Sequence, residues 1–273
     1  MRILITGSNG LLGQKMVYAL KADSDVELIA TARGDNRLID HTGYIYACMD
    51  ITDHESVMAV VTQFKPDRII HGAAMTNVDA CETDHEGCDL ANVTAVQNVV
   101  DAAEAVGAHL VHVSTDFIFD GEDGPYEEDA VPNPVSYYGL SKLRGEEIIM
   151  ASELEWAICR TILVYGIVDN MSRSNFVLWA KGELEQGKTI NVVDDQFRSP
   201  TLAEDLAQGC ILASKKKAAG VYNISGKDTD SILGLINTVA DHYGLDKSLI
   251  NSTKSDTLGQ PAKRPPRTGF IIN

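Results

Sequence analysis

No apolar run in this chain approaches the roughly 20 residues that a helix needs to cross a bilayer, so a membrane span is not expected. Positive charge is also scarce: 23 Lys and Arg stand against 39 Asp and Glu, a formal net charge of −16. A surface this acidic repels phosphate backbones and anionic lipid, which argues against nucleic acid and membrane as partners. An anionic ligand must then be held by local devices, such as helix N-termini and a few placed Arg or Lys side chains. The first apolar run begins at Arg2 and leaves no room for a signal peptide. Five scattered cysteines (Cys48, Cys81, Cys88, Cys159 and Cys210) are an odd number. Together these lead us to expect a reducing, cytoplasmic setting and no disulfide framework. Repeats and low-complexity tracts are lacking as well.

What is present is the composition of a globular protein, with 44% hydrophobic and 23% charged residues over a length of 273. That is enough for one large α/β domain, alone or with a smaller companion. Short apolar runs at 2–6, 26–32, 44–48, 68–72, 109–114 and 156–163 read as strands. Helical patterns at 11–21, 53–63, 90–106 and 136–152 alternate with them. Such alternation predicts an α/β fold, a doubly wound parallel (Rossmann) sheet covered on both faces. Asp53 is placed to cap the second helix and Pro66 to end it. After about residue 165 the pattern changes. A polar loop at 169–174 is followed by helical stretches at 176–184, 202–213 and 231–242, with a strand at 220–224. We expect a dinucleotide-binding domain over 1–165 and a smaller, mostly helical substrate-binding region over 166–273. Residues near 200–224 should return to the first domain.

Cys81, His85 and Cys88 fall at helical spacing, as metal ligands could. Structural zinc sites usually show paired short spacings and a fourth ligand, so this stretch reads as a loop and a helix start, with no metal. His109 and His112, in a β-run, read as structural.

The opening strand runs into Gly7-Ser8-Asn9-Gly10-Leu11-Leu12-Gly13. Glycine is needed where the chain turns sharply, where backbone approaches a pyrophosphate, and where helix meets strand. A helix starting near Gly10 would point its N–H groups at the phosphates. The position between a strand and a helix is the context that supports a dinucleotide site. The second strand ends in Thr31-Ala32-Arg33. An acidic residue there would grip the ribose hydroxyls of NAD, whereas Arg33 favours the 2′-phosphate of NADP; the alternative is a solvated surface arginine. Gly72-Ala73-Ala74 offers small residues alongside the cofactor.

Tyr138-Gly139-Leu140-Ser141-Lys142 carries the chemistry. Residues four apart share a helix face, which sets the Lys142 ammonium near the Tyr138 phenol. A free Tyr titrates at about pH 10, and a neighbouring cation lowers that towards the working range. Tyr137 points about 100° away around the helix and lacks a Lys four residues on. A hydroxyl at the end of the fifth strand should polarise the substrate carbonyl. Thr115 is the candidate, with Ser114 open as the alternative, because neighbouring strand residues face opposite ways.

These features resemble the extended short-chain dehydrogenase/reductase family, and within it the dTDP-4-dehydrorhamnose reductase branch. The matching stretches are 7–13, 72–82, 114–121 and 138–146, then Arg160-Thr161, Asn175-Phe176, Asp194-Asp195-Gln196, Ser199-Pro200-Thr201 and Arg264-Pro265. The resemblance implies reduction of a nucleotide-linked 4-keto-6-deoxy sugar by NADPH, with NADH as the alternative donor, and leaves room for a homodimer. It assigns catalysis to Thr115, Tyr138 and Lys142. It assigns the cofactor to Gly7 through Gly13, Arg33, Asp50, Ile51, Ala73, Ala74 and Met75, with Tyr138 and Lys142. Asp50 falls at the family's adenine contact, and Lys142 can also bond the nicotinamide ribose. Substrate contacts fall on Thr76, Val78, Phe117, Asn175, Arg198 and Arg264. The Arg264/Arg267 cluster would face the nucleotide half, unless it is a solvated tail.

The sequence departs from the branch at three places. Leu163 stands where a Trp commonly follows Arg-Thr-Ser, Phe197-Arg198 replaces a glycine-containing stretch, and the family's final helix is not seen before Asn273. Two other functions share the fold. One is an epimerase or dehydratase that recycles bound NAD; Arg33 and the lack of a Glu after Asp116 count against a dehydratase. The other is a non-catalytic, NADP-binding regulatory subunit, against which the intact Thr115, Tyr138 and Lys142 set counts.

Overall fold

The computed structural model describes residues 1–171 and 174–271. Its first half contains β1 (Arg2–Thr6), α1 (Leu11–Leu20), β2 (Glu27–Ala32), β3 (Ile45–Cys48), α2 (His54–Phe64), β4 (Arg68–His71) and α3 (Val78–Thr83). It continues with α4 (His85–Asp89), α5 (Ala95–Val106), β5 (His109–Thr115), α6 (Tyr137–Ala151) and β6 (Trp156–Thr161). Next come β7 (Val164–Tyr165), α7 (Phe176–Glu185), β8 (Ile190–Val193), β9 (Phe197–Arg198), β10 (Thr201–Leu202) and α8 (Ala203–Lys216). The remaining elements are β11 (Gly220–Ile224), β12 (Asp230–Ser231), α9 (Ile232–Tyr243) and β13 (Ile250–Thr253).

Seven parallel strands form the central sheet in the order β11-β6-β5-β4-β1-β2-β3. The order reverses between β1 and β4, so a crevice opens at their carboxyl ends. Alternate residues of β1 serve opposite cores. Ile3 and Ile5 pack with Met16 and Val17 of α1 and Leu206 of α8. Leu4 packs with Val57 of α2, Val99 of α5 and Ile149 of α6. Asp53 caps α2 through Glu55 N and Ser56 N, and Lys65 ends it at φ 44 just before Pro66.

The structure corrects three expectations. The helix expected over 90–106 opens as a π-turn at Leu90–Thr94 before α5. That wide turn faces Asn92 inward, where its amide bonds both backbone groups of Met75 and the Ser141 hydroxyl. The strand expected over 156–163 stops at Thr161, because Leu163 turns the chain at φ 40. The loop expected around Cys81 to Cys88 is two short helices, α3 and α4.

Strand β11 closes one edge of the sheet and α8 packs on α1, so residues 203–224 lie in the first body. A second core gathers Ala180 and Leu184 of α7, Ile190 and Val192 of β8, and Ile236 and Ala240 of α9. It also holds the parallel pair β8–β13, which polar Ile250-Asn251-Ser252-Thr253 did not suggest as a strand. The segment after Ala262 crosses back over both bodies: Pro266 O accepts from Phe197 N at 2.8 Å, and Gly269 O from Tyr126 N at 2.8 Å. Ser172 and Arg173 of the expected polar loop lie outside the described residues, as does the chain end at Asn273.

Candidate active site

The glycine turn is set by sterics at two of its three glycines. Gly7 has φ 72, and a Cβ there would sit 3.0 Å from the Ala73 backbone. A Cβ on Gly13 would lie 2.2 Å from Gly7 O. Gly10 is the N-cap of α1; no side chain caps that helix and its first turn holds no acid. The turn therefore presents backbone N–H groups and a positive helix end to the crevice, which suits a diphosphate. Asn9 ties the turn to the segment after β2, donating to Asp35 O at 2.8 Å and accepting from Arg37 N at 2.9 Å.

At the same rim Arg33 extends into solvent, 81% exposed, with Nη1 3.9 Å from the Asp50 carboxylate. Bonds from the Thr52 N–H and hydroxyl hold Asp50 below the usual carboxylate range. Ile51 follows it, its carbonyl bonded by Asn98 at 3.0 Å. Ala73 N donates to Thr6 Oγ1 at 3.2 Å; Ala74 and Met75 follow it along the β4 end of the crevice. Turn, rim and β4 end fit a dinucleotide: backbone donors for phosphates, Asp50 for an adenosine, and a guanidinium at the edge.

Tyr138 is buried, with its ring 5.6 Å from Phe117 in an edge-on contact and Cys81 and Cys88 packed beneath. The Thr115 hydroxyl lies close enough to act on this phenol, favouring its ionised form. Thr115 Oγ1 also donates to Asp116 Oδ1 at 3.1 Å and accepts from Phe117 N at 3.2 Å. Thr115, rather than Ser114, is thus the hydroxyl beside the phenol; Ser114 Oγ is buried with no partner among the described residues. Tyr137 turns away, stacking on His85 at 3.6 Å and donating to Asp89 at 2.8 Å.

The expected pairing of the Lys142 cation with the phenol is not what the side chains show. Lys142 Nζ lies 2.8 Å from Val113 O and 3.1 Å from His112 Nε2, down against β5. Burial strips the ammonium of water, and these two acceptors replace it. Burial lowers Lys142 to about 8, opposed by the nearby charge of Glu146. Burial pushes the Tyr138 phenol up, outweighing the Thr115 hydroxyl. Two groups missed from the sequence thus belong here: His112, which looked like a core residue, and Asp116. Burial raises the Asp116 carboxyl, which accepts from the Thr268 hydroxyl and lies 3.9 Å from Arg198 Nε.

Val78 and Phe117 pack with Tyr138, and Thr76 lies in the loop that leads into α3. Asn175 caps α7, accepting from Leu178 N at 3.2 Å and donating to Gly166 O at 2.7 Å. The two arginines expected on substrate are engaged within the protein. Arg198 is buried and donates to Phe197 O and Pro265 O at 2.7 Å each. Arg264 forms a two-pronged pair with Asp79, at 2.8 and 3.2 Å. Arg267 lies over the Phe197 ring at 5.3 Å. Arg264 is thus part of the packed structure, whereas Arg267 and Lys263 stay exposed. Cys81 and Cys88 are buried while His85 stacks on Tyr137, and among the described residues no three such side chains converge on a metal-sized site.

The family model described as the RmlD substrate binding domain matches residues 1–270. Among solved structures, a dTDP-4-dehydrorhamnose reductase from Clostridium acetobutylicum is 32% identical at a TM-score of 0.88, covering 100% of this chain and 90% of its own. A dTDP-4-dehydrorhamnose reductase from Bacillus anthracis, in complex with NADP, is 29% identical at a TM-score of 0.86, with the same coverage. Methionine adenosyltransferase 2 subunit beta of Xenopus laevis is 31% identical over 94% of this chain and 77% of its own length. No helix among the described residues is long and apolar enough to cross a membrane.

Proposed function

We propose a function from the premise that the chain belongs to the RmlD substrate-binding domain family: it is an NAD(P)H-dependent oxidoreductase that reduces the keto group of a nucleotide-linked sugar. The substrate we favour is dTDP-4-dehydro-6-deoxy-L-mannose, which would yield dTDP-L-rhamnose. The observation that carries this reading is the placement of buried Tyr138 edge-on to Phe117, two residues past Thr115 at the carboxyl end of β5, in the crevice that the glycine turn shares.

Bound NAD(P)H supplies the hydride for the keto carbon. Thr115, its hydroxyl turned from Asp116 Oδ1, would donate a hydrogen bond to the keto oxygen and orient it. Tyr138 passes its phenolic proton to that oxygen as charge develops there, so the product alcohol gains one hydride and one proton. Lys142 holds positive charge under this exchange. Its reach to the nicotinamide ribose is part of the same proposal. Gly7 through Gly13, Asp50, Ile51 and Ala73 through Met75 would hold the dinucleotide, and Arg33 leans it towards NADPH. Thr76, Val78, Phe117 and Asn175 would border the sugar.

We place the nucleotide half in the cavity of about 490 Å³ whose lining includes Gln196, Gln260, Lys263 and Arg264 but also the acids Asp120, Glu122 and Asp256, which would favour the base and ribose over the diphosphate. Arg264, tied to Asp79, would act there by shaping a wall, and buried Arg198 would act from behind by holding the Pro265 carbonyl. This divides the chain into a cofactor body over 1–165 with 203–224, and a substrate region from the rest. Five free cysteines, four of them buried, support a cytoplasmic setting.

The test is Tyr138→Phe. Turnover should fall at least a hundredfold while the cofactor dissociation constant changes little, because the phenol acts on the reacting oxygen. Retained turnover would remove the assignment. The likeness to methionine adenosyltransferase 2 subunit beta favours a second reading, a subunit of another enzyme. It predicts cofactor binding with no reductase activity in the unmodified protein.

A further inference from the structure

Behind Lys142 lies a buried polar column that the reaction above does not use. His71 of β4 and His112 of β5 are register partners, each about 1% exposed, with rings 5.3 Å apart. His71 Nδ1 meets Thr6 Oγ1 at 2.8 Å, and His112 Nε2 meets Lys142 Nζ at 3.1 Å. His71 Nε2 and His112 Nδ1 have no partner among the described residues. Unmatched imidazole nitrogens beside a buried ammonium are costly, and an apolar side chain would fill the same space without that cost. The helix above comes close at Gly145, where a Cβ would crowd Asn92 O at 2.8 Å and meet His112 Nε2 in ordinary contact at 3.9 Å.

We propose that His112 is a positioning residue for Lys142: its unprotonated Nε2 accepts a hydrogen bond from Nζ and, with the Val113 carbonyl, fixes the ammonium in the crevice. The other groups that face Lys142 are Glu146 on α6, Cys88 on α4 and His71 on β4. Glu146 and Cys88 favour the ammonium and burial opposes it. Burial and the ammonium hold both imidazoles well below their ordinary range, so His112 is neutral and able to accept. Removing the acceptor withdraws support from the charged form, and Lys142 should then lose its proton at lower pH.

The placement stands on geometry alone; its effect on turnover rests on the function proposed above. In protein carrying ¹³Cε-lysine, with the signal assigned through Lys142→Arg, Lys142 should titrate near 8. His112→Phe should move that titration down by about one pH unit, a tenfold loss of proton affinity, and His112→Gln, whose carbonyl can accept, should restore most of it. An unchanged titration in His112→Phe overturns the proposal. A second measurement needs no variant: ¹⁵N shifts of the unmodified protein should show His112 protonated at Nδ1 only, and a proton on Nε2 overturns it. In turnover, His112→Phe should shift the alkaline limb of kcat/KM down with the lysine, at unchanged KM, whereas a uniform loss at every pH contradicts the role. A shifted lysine in a protein that reduces no keto sugar would reject the proposed reaction and leave the positioning role in place.

Discussion

Two adjacent tyrosines lie in different surroundings because a helix turns about 100° per residue. Tyr138 faces the crevice, while Tyr137 is spent on Asp89 and His85. Tyr137→Phe should therefore keep turnover within a fewfold of the unmodified protein, the opposite of Tyr138→Phe, as a pair of kcat measurements would show. Arg33, largely in solvent, earns its role only from a phosphate. Arg33→Asp should weaken NADPH at least tenfold and strengthen NADH, read as the ratio of two dissociation constants; equal affinities in the unmodified protein would end the argument. The four-residue spacing of Tyr138 and Lys142 put both on one helix, as the sequence led us to expect, but it did not reveal that the ammonium turns to Val113 O and His112 Nε2. His112 was not legible, since a histidine in a β-run looks the same in sequence whether it meets a carbonyl or a lysine. Only the register of β4 with β5, and the approach of α6 at Gly145, reveal which.

At the scale of elements, the glycines of the first turn are not equivalent. Gly13→Ala drives a Cβ to within 2.2 Å of Gly7 O and 2.6 Å of Ser8 Cα, so α1 must shift off its strand. Cofactor affinity should drop more than tenfold, measured by calorimetry, whereas Gly10→Ala, 3.3 Å from the same oxygen, should cost far less. The pair Asp79–Arg264 joins α3 to the C-terminal segment. Arg264 holds the Asp79 carboxyl below its ordinary value. A depressed folded-state pKa means that this stability is present above an unfolded value of about 4 and is lost as pH falls through the folded value. Arg264→Ala should cost about 1 kcal/mol at neutral pH, screened by partial exposure, and the loss should vanish in denaturation curves taken in acid. Periodicity located the long helices to within three residues, apart from the start of α5. It did not find the π-turn at Leu90–Thr94, which exists because Asn92 must reach Met75 and Ser141. Nor could it find β13, whose partner β8 is about 60 residues away in the chain.

For the molecule as a whole, strand-helix alternation was enough to predict the parallel sheet, because handed crossovers leave few other arrangements. The second body was less legible. Its segments are separated by α8 and β11, which return to the sheet, and its core forms between stretches that show no local signal of pairing. Charge at this scale shapes what the crevice accepts. A protein at −16 has little to attract a nucleotide at a distance, so recognition must come from contacts made inside the cavity, and a remote nucleotide would supply binding energy that orients the keto carbon. The most direct measurement is the oxidation of NADPH by the purified protein given dTDP-4-dehydro-6-deoxy-L-mannose, beside the same keto sugar without its nucleotide. The account predicts one NADPH consumed per nucleotide sugar reduced and at least a tenfold lower kcat/KM for the free sugar. Tight NADPH binding with no oxidation on either substrate would contradict it.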